Sequence, residues 1–497
     1  MIEFTVNTSS IGTPFPHYWE MCVGSCHAVM GLRQDWREQL TKVQHELGFQ
    51  YVRFHGLLDN DMSVCIREDA IFGGEVAGQL RYSFFNIDSI FDFLLSIGMK
   101  PFIELGFMPP ALASGTQTCF HYKANVTPPA DYGEWESLIH ALTQHLVDRY
   151  GLDEVRTWFF EVWNEPNLPY FWSGSQAEYF KLYEHSVRAI KSVDEGLRVG
   201  GPATSINAWI PEMLAFCRSA NLPIDFVSTH HYPTDDPLWK QPDMSLEEFF
   251  TKFAHLMGQY ERGILQKMTR KARGEAGDLP LYYTEWNTSA MLPDNSHDDP
   301  YAAALVAKTI ADNDGLVQGY SYWTFSDLFE ERGQFAAPFH GGFGLQTIHG
   351  IPKPTYRVFE LLHQLGHERL GVSGNGGDAT VEVLAVRSDT TLSLLVYNHN
   401  VPTGTISDEE VSIKLPGLTL TNPATLTRVD GQHANPKQCW LDLGSPEYPT
   451  AQQLADIEQS SHLVAETLPV EQQAGGCTLR FVMPAHGVAL ISMVGTK

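Results

Sequence analysis

The feature that most constrains this chain is an alternation repeated eight times, a short apolar run followed by an amphipathic stretch. The apolar runs lie at 21–26, 50–55, 100–107, 157–164, 197–203, 225–232, 281–286 and 319–325. Each is short enough for a strand buried on both faces. Between them, segment 36–48 has a helical period and stops at Gly48, and 87–98 stops at Gly98. Segment 132–151 sets Trp135, Leu138, Ile139, Leu142 and Leu146 on one helical stripe. Similar helices are expected at about 176–194, 207–220, 246–272 and 300–314. Strand–helix units in this number predict a closed parallel (β/α)8 barrel, the TIM barrel, of the α/β class. An open doubly wound sheet is the alternative, but the sequence offers no Gly-rich phosphate loop for it.

Beyond about residue 370 the period becomes two. Runs 379–387, 391–400, 409–415, 477–483 and 487–494 alternate apolar and polar residues between turn formers. That pattern predicts an antiparallel β-sandwich with a solvated outer face. Residues 2–6 alternate likewise and are expected to add a strand to it. The division is therefore a barrel over 15–360 and an accessory sandwich built from 1–14 plus 361–497.

Charge and composition narrow the partners. A formal net charge of −26 repels phosphate backbones and anionic membranes, so neither nucleic acid nor membrane is expected as a partner. A neutral substrate fits better than an anionic one. The first residues lack the basic and apolar regions of a signal peptide, and no run reaches the length of a membrane span. The seven cysteines are scattered and odd in number, which points to reduced thiols and a cytoplasmic location. Cys22 and Cys26 have no second pair to complete a zinc spacing. His363 and His367, four apart, lack a third ligand and read as a surface pair, so no metal site is expected. A homo-oligomer is left open.

A barrel enzyme builds its site at the C-terminal ends of its strands. The fourth run ends in Trp163-Asn164-Glu165-Pro166-Asn167. A carboxyl beside tryptophans at a barrel mouth is partly desolvated, and its pKa rises toward that of a general acid. The seventh run ends in Tyr283-Thr284-Glu285-Trp286-Asn287, a second glutamate in the equivalent place. Two inward carboxyls from these strands can approach to about 5–5.5 Å, the spacing of a retaining glycosidase, against about 6.5–9.5 Å for an inverting one. Either glutamate alone reads equally well as a loop cap or salt-bridge partner. Arg53 and His55 share one face of the second strand, as do His230 and Tyr232 of the sixth.

Phe160-Glu161-Val162-Trp163-Asn164-Glu165-Pro166-Asn167-Leu168 and Thr284-Glu285-Trp286-Asn287-Thr288-Ser289 resemble the two signatures of glycoside hydrolase family 39, which holds β-xylosidases and α-L-iduronidase. The likeness extends to 102–109, 228–232, 321–327 and 339–345, and runs over most of 20–370. It implies a retaining double displacement with Glu165 as acid/base and Glu285 as nucleophile. It also places His230 near the sugar and Tyr232 near the nucleophile.

Around this pair, Arg53 is expected to keep Glu285 ionised, His55 to bond a sugar hydroxyl and Asn164 to bond the 2-hydroxyl. Trp323 is expected to form the floor under the ring. Asp327, Glu330 and Glu331 are candidates for the hydroxyls farthest from the scissile bond, and Phe107 for the leaving-group side. Core packing explains Trp323 as well, an internal ion pair explains Arg53, and a solvated loop explains the three acids. Two carboxyls suffice for the chemistry, so no cofactor is expected. The leading expectation is an exo-acting β-D-xylosidase acting on short xylo-oligosaccharides. The alternatives are an α-L-iduronidase or α-L-arabinosidase of the same family, or a non-catalytic sugar-binding barrel.

Overall fold

The computed structural model describes the chain except residues 242, 243, 246, 247, 249, 250, 253, 375–378, 421 and 497. Eight parallel strands close into a barrel: β1 Cys22–His27, β2 Tyr51–His55, β3 Lys100–Leu105, β4 Phe159–Val162, β5 Arg198–Thr204, β6 Phe226–His231, β7 Leu281–Trp286 and β8 Gly319–Tyr322. A helix follows each: α1 Gln34–Leu47, α2 Phe85–Ser96, α3 Tyr132–Tyr150, α4 Gln176–Val193, α5 Ile210–Ala220, α6 Ile264–Ala276, α7 Pro300–Asp312 and α8 Pro354–His363. Strand order around the barrel follows the sequence, and Tyr322 of β8 pairs with Val23 of β1 to close it.

Local chemistry sets the helix ends. Gly48 takes a φ of 74° and its N–H bonds the Gln44 carbonyl, ending α1. Asp131 caps α3 by accepting from the N–H groups of Gly133 and Glu134. The α3 stripe of Trp135, Leu138, Ile139, Leu142 and Leu146 is fully buried. Burial contributes about 1.5–3 kcal/mol for each large apolar side chain, so the stripe rather than helix propensity holds α3 on the barrel. Of the helix expected over about 246–272, the structure shows a helix from Ile264, after Gly263 at φ 80°. Of that expected span, 246, 247, 249, 250 and 253 lie outside the described residues.

Four strands end earlier than their apolar runs, β3 at Leu105, β4 at Val162, β6 at His231 and β8 at Tyr322. Past β4, Trp163 and Glu165 take φ values of 71° and 43°. Left-handed backbone costs an L-residue roughly 1–2 kcal/mol, so packing must hold this turn in place. It is the turn that presents Glu165 to the barrel mouth.

Strand Ile2–Val6 pairs antiparallel with Val372–Gly374 and parallel with Glu409–Pro416, within a sheet that continues through Gly476–Met483 to Val470–Gln473. A second sheet includes Glu368–Leu370, Val381–Arg387, Thr391–Asn398 and Val488–Thr496. The two sheets share a core of residues such as Val6, Leu394, Val396, Ile413 and Ile491. Leu395 and Tyr397, on the other face of the second sheet, join the barrel core instead, where α7 packs on Thr391–Asn398. The solvated face expected of this sheet is thus covered, and residues 392–398 are all buried. Because α8 runs through His363, we propose domain limits of 15–363 for the barrel and 1–14 plus 364–497 for the sandwich.

Candidate active site

Three charged side chains project into the barrel from adjacent strands: Arg53 from β2, Glu104 from β3 and Glu161 from β4. All three are buried, and Glu104 and Glu161 are register partners. Arg53 Nε lies 2.6 Å from Glu161 Oε2, and its Nη2 lies 2.9 Å from Glu104 Oε2. The same Nη2 donates to Asn164 Oδ1 at 3.0 Å, which orients the residue before Glu165. Burial would strip the guanidinium of its charge, but the charges of Glu161, Glu104 and Glu285 outweigh it and hold Arg53 above its ordinary range. Burial also lifts Glu104 to about 7, against the pull of Arg53.

Above this layer Glu165 and Glu285 face each other. One carboxylate oxygen of each lies within 4.8 Å of the other and of a ring nitrogen of His230. So close an approach fits the carboxyl pair of a retaining enzyme better than the wider spacing of an inverting one. Burial, then the charge of Glu285, pushes Glu165 well above the usual carboxylate range. Burial lifts Glu285 as well, but Arg53 and Tyr232 oppose the lift, so Glu285 is the first of the two to ionise. The Tyr232 hydroxyl donates to Glu285 Oε1. Oε2 accepts no hydrogen bond among the described residues, with Arg53 Nη1 at 3.6 Å. One oxygen of Glu285 is therefore anchored and the other is free to attack.

His230 bridges the layers. Its Nδ1 lies 3.0 Å from Glu165 Oε1 and its Nε2 lies 3.1 Å from Thr284 Oγ1. Thr284 in turn donates to Glu161 Oε1 at 2.7 Å. Burial, reinforced by the charge of Arg53, pushes His230 well below the usual histidine range, so its ring is neutral.

His55 is also held neutral, lowered to about 3 by burial and then by Arg53. Its Nδ1 bonds Glu104 Oε2 at 2.7 Å, and its Nε2 lies 3.8 Å from Glu331 Oε1. Its ring centroid is 4.6 Å from that of Trp323. A Cβ on Gly24 would come within 2.5 Å of the Trp323 ring, so β1 must carry glycine there. Burial, then the charge of Glu285, raises Glu331 well above its ordinary value.

The fold thus gathers Arg53, His55, Asn164, His230, Tyr232, Trp323 and Glu331 around the carboxyl pair. Glu330 points to the neighbouring His27, with Oε1 2.9 Å from Nδ1, and that histidine also contacts Asp61 at 2.9 Å. Two expectations need correction. Asp327 has both oxygens engaged elsewhere: Oδ1 accepts the Gly344 N–H at 2.7 Å, and Oδ2 lies 2.6 Å from the buried Lys353 ammonium. An isolated buried Lys would be unstable, so Asp327 and Asp298 are held to it and brace the loop. Phe107 is fully buried, packed against Trp163 at 5.4 Å and His55 at 5.8 Å, and so stands behind the site rather than lining it. Residues not singled out from the sequence are Glu104, Glu161, Thr284 and His27. A carboxyl inside an apolar strand run was the signal for the first two.

The family model described as Glycosyl hydrolases family 39 matches residues 2–477. The chain is 51% identical over 468 residues to a protein named Beta-xylosidase from Caldicellulosiruptor saccharolyticus, covering 94% of this chain and 93% of that one. It is 38% identical to a Beta-xylosidase from Geobacillus stearothermophilus, covering 98% and 95%. A solved GH39 Beta-xylosidase from Caulobacter crescentus superposes with a TM-score of 0.81 at 34% identity, covering 99% of each chain.

Proposed function

Because the chain belongs to glycosyl hydrolase family 39, we propose that it is a retaining, exo-acting β-D-xylosidase that releases xylose from short xylo-oligosaccharides. The observation that carries this reading is the pair of buried carboxyls within 4.8 Å, one raised well above its range and the other anchored by Tyr232. Glu165 gives its proton to the glycosidic oxygen while Glu285 Oε2 attacks the anomeric carbon, and the leaving group departs from the glycosyl ester. Esterification removes the charge of Glu285, so the pKa of Glu165 falls and it stays ionised. It then takes a proton from water as the water oxygen displaces Glu285, and xylose leaves with its configuration retained.

Asn164, His55, Glu331 and Trp323 surround the same space and supply the contacts of a sugar site: an amide, an imidazole, a carboxyl and an aromatic face. The long segments 108–131 and 326–350 follow β3 and β8 and wall the mouth, which suits removal of one terminal unit. The cation of the site, Arg53, is already paired with Glu161 and Glu104, and Glu330 and Glu331 in the loop after β8 are acidic, which disfavours the anionic sugar of an iduronidase. The partner in this reading is a neutral oligosaccharide, in a cytoplasmic enzyme free to form homo-oligomers. No helix among the described residues is long and apolar enough to cross a membrane.

The test is trapping with an activated 2-deoxy-2-fluoro-β-xyloside, followed by peptide mapping. A single fluoroxylosyl adduct on Glu285 is expected. An adduct on another residue, or cleavage of an aryl α-L-iduronide or α-L-arabinoside in preference to the β-xyloside, overturns the reading.

A further inference from the structure

The geometry points to Thr284 as a positioning residue that fixes the tautomer of His230 and thereby keeps the proton on Glu165. This inference rests on the acid/base role proposed for Glu165.

Glu161 is ion-paired with Arg53 through Oε2 at 2.6 Å, and its Oε1 accepts the Thr284 hydroxyl at 2.7 Å. A carboxylate can only accept, so the one hydroxyl hydrogen of Thr284 is committed to Glu161. Toward His230 Nε2, 3.1 Å away, Thr284 Oγ1 then has only lone pairs to offer. Nε2 must carry the ring hydrogen. A neutral imidazole has one N–H, so Nδ1 is a bare acceptor. Nδ1 lies 3.0 Å from Glu165 Oε1, and the contact is a hydrogen bond only if Glu165 is protonated. Thr284, His230 and Glu161 are all buried, so water does not compete for these positions.

The chain therefore runs in one direction, from the fixed charge of Arg53 through Glu161, Thr284 and His230 to the acid. Substrate competes with Nδ1 for the Glu165 proton. After transfer, the Glu165 carboxylate faces a lone pair instead of a donor, which sharpens its demand for the proton of the water that opens the glycosyl ester. No proton passes along the chain, which serves only to orient. Other charges bear on the pair: Arg53 and His55 from β2, His231 on the same strand as His230, Glu285 from β7, and Asp235 from the turn after β6. Arg53, His55, His231 and Asp235 act on both tautomers alike; the Glu285 carboxylate, with Oε2 3.5 Å from Nδ1, favours a hydrogen there, and the shorter contact of Nε2 with the Thr284 lone pairs outweighs it.

The test is Thr284→Val beside Thr284→Ser, with kcat/KM for xylobiose followed against pH. Valine removes the hydroxyl, lets the ring hydrogen move to Nδ1 and so supports ionised Glu165. The alkaline limb is expected to move to lower pH, with activity at pH 8 relative to pH 6 falling about tenfold. Serine keeps the hydroxyl and is expected to keep the wild-type profile. A valine variant that loses activity evenly at all pH values, or a serine variant that shifts like valine, overturns the inference. Nitrogen NMR of wild-type protein labelled at histidine provides a reading that needs no variant to fold: a buried ring with the hydrogen on Nε2 is expected for His230, and Nδ1–H overturns it. Should Glu165→Gln leave xylobiose cleavage unchanged, the acid/base assignment fails instead, whatever the tautomer.

Discussion

Glu165 and Glu285 stand at the ends of two strands of one barrel, and both are buried, yet they meet opposite kinds of atoms. Glu285 receives the Tyr232 hydroxyl and lies near the Arg53 guanidinium, both of which support a negative charge. Glu165 meets His230 Nδ1 at 3.0 Å, closer than Glu285 does at 3.5 Å, and the negative charges of Glu285 and Asp235 bear on it ahead of the support from Arg53 and Ser205. Burial alone would raise both carboxyls together. What separates acid from nucleophile is the balance of donors and charges around each carboxyl, which is a property of a few side chains and not of the fold.

The largest effects come from deleting either member. Glu285→Ala removes the attacking oxygen, and turnover of xylobiose should fall by at least about 10⁴-fold. Retention of measurable wild-type rates would place the nucleophile elsewhere. Glu165→Ala should lower xylobiose hydrolysis by about 10²–10⁴-fold. An aryl xyloside with a good leaving group should suffer less in the first step, because it needs less protonation. Its second step lacks a base, so added azide should restore rate and give a β-xylosyl azide. An α-configured azide product would break the retaining assignment.

Tyr232→Phe tests the donor side of the comparison at smaller scale. One hydrogen bond to a charged group contributes about 1.5–3 kcal/mol, and part of it is lost here, so kcat/KM should fall about tenfold. The sign of the pH effect follows from which form the hydroxyl supports. Tyr232 favours ionised Glu285, so its removal raises the pKa of Glu285 and moves the acid limb of kcat/KM to higher pH. The alkaline limb, set by Glu165, should stay where it is. Movement of the alkaline limb alone would reverse the assignment of the two glutamates.

The same contrast explains what could be read before any coordinates. Glu165 and Glu285 were legible because each stands directly after an apolar run, beside tryptophan, where a barrel places its site. Arg53, His55, His230 and Tyr232 were legible from a two-residue period on strands. Thr284 was not, since a β-branched residue in a strand needs no functional reason, and its meaning arises only when three strands bring Glu161 and His230 to either side of its hydroxyl. Asp327 was misplaced because strand eight stops at Tyr322, short of its apolar run, and the loop beyond it folds onto Lys353. The covered face of the second sheet was hidden for a related reason: Leu395 and Tyr397 alternate as strand residues do, and only the position of α7 decides that both faces are buried.

Phe107 gives the smallest expected effect and tests the line between lining the site and supporting it. The ring lies wholly behind His55 and Trp163. Phe107→Leu keeps an apolar side chain there and should cost about 1 kcal/mol of stability, as similar core exchanges do. With the sugar untouched, KM for aryl xylosides of different leaving groups should change by less than about threefold, and uniformly across the series. A leaving-group side chain would behave otherwise, since truncating it would change KM most for the bulkiest aglycone. A selective loss of that kind would return Phe107 to the wall of the site and make Trp163 and His55 its neighbours in binding rather than the groups it holds in place.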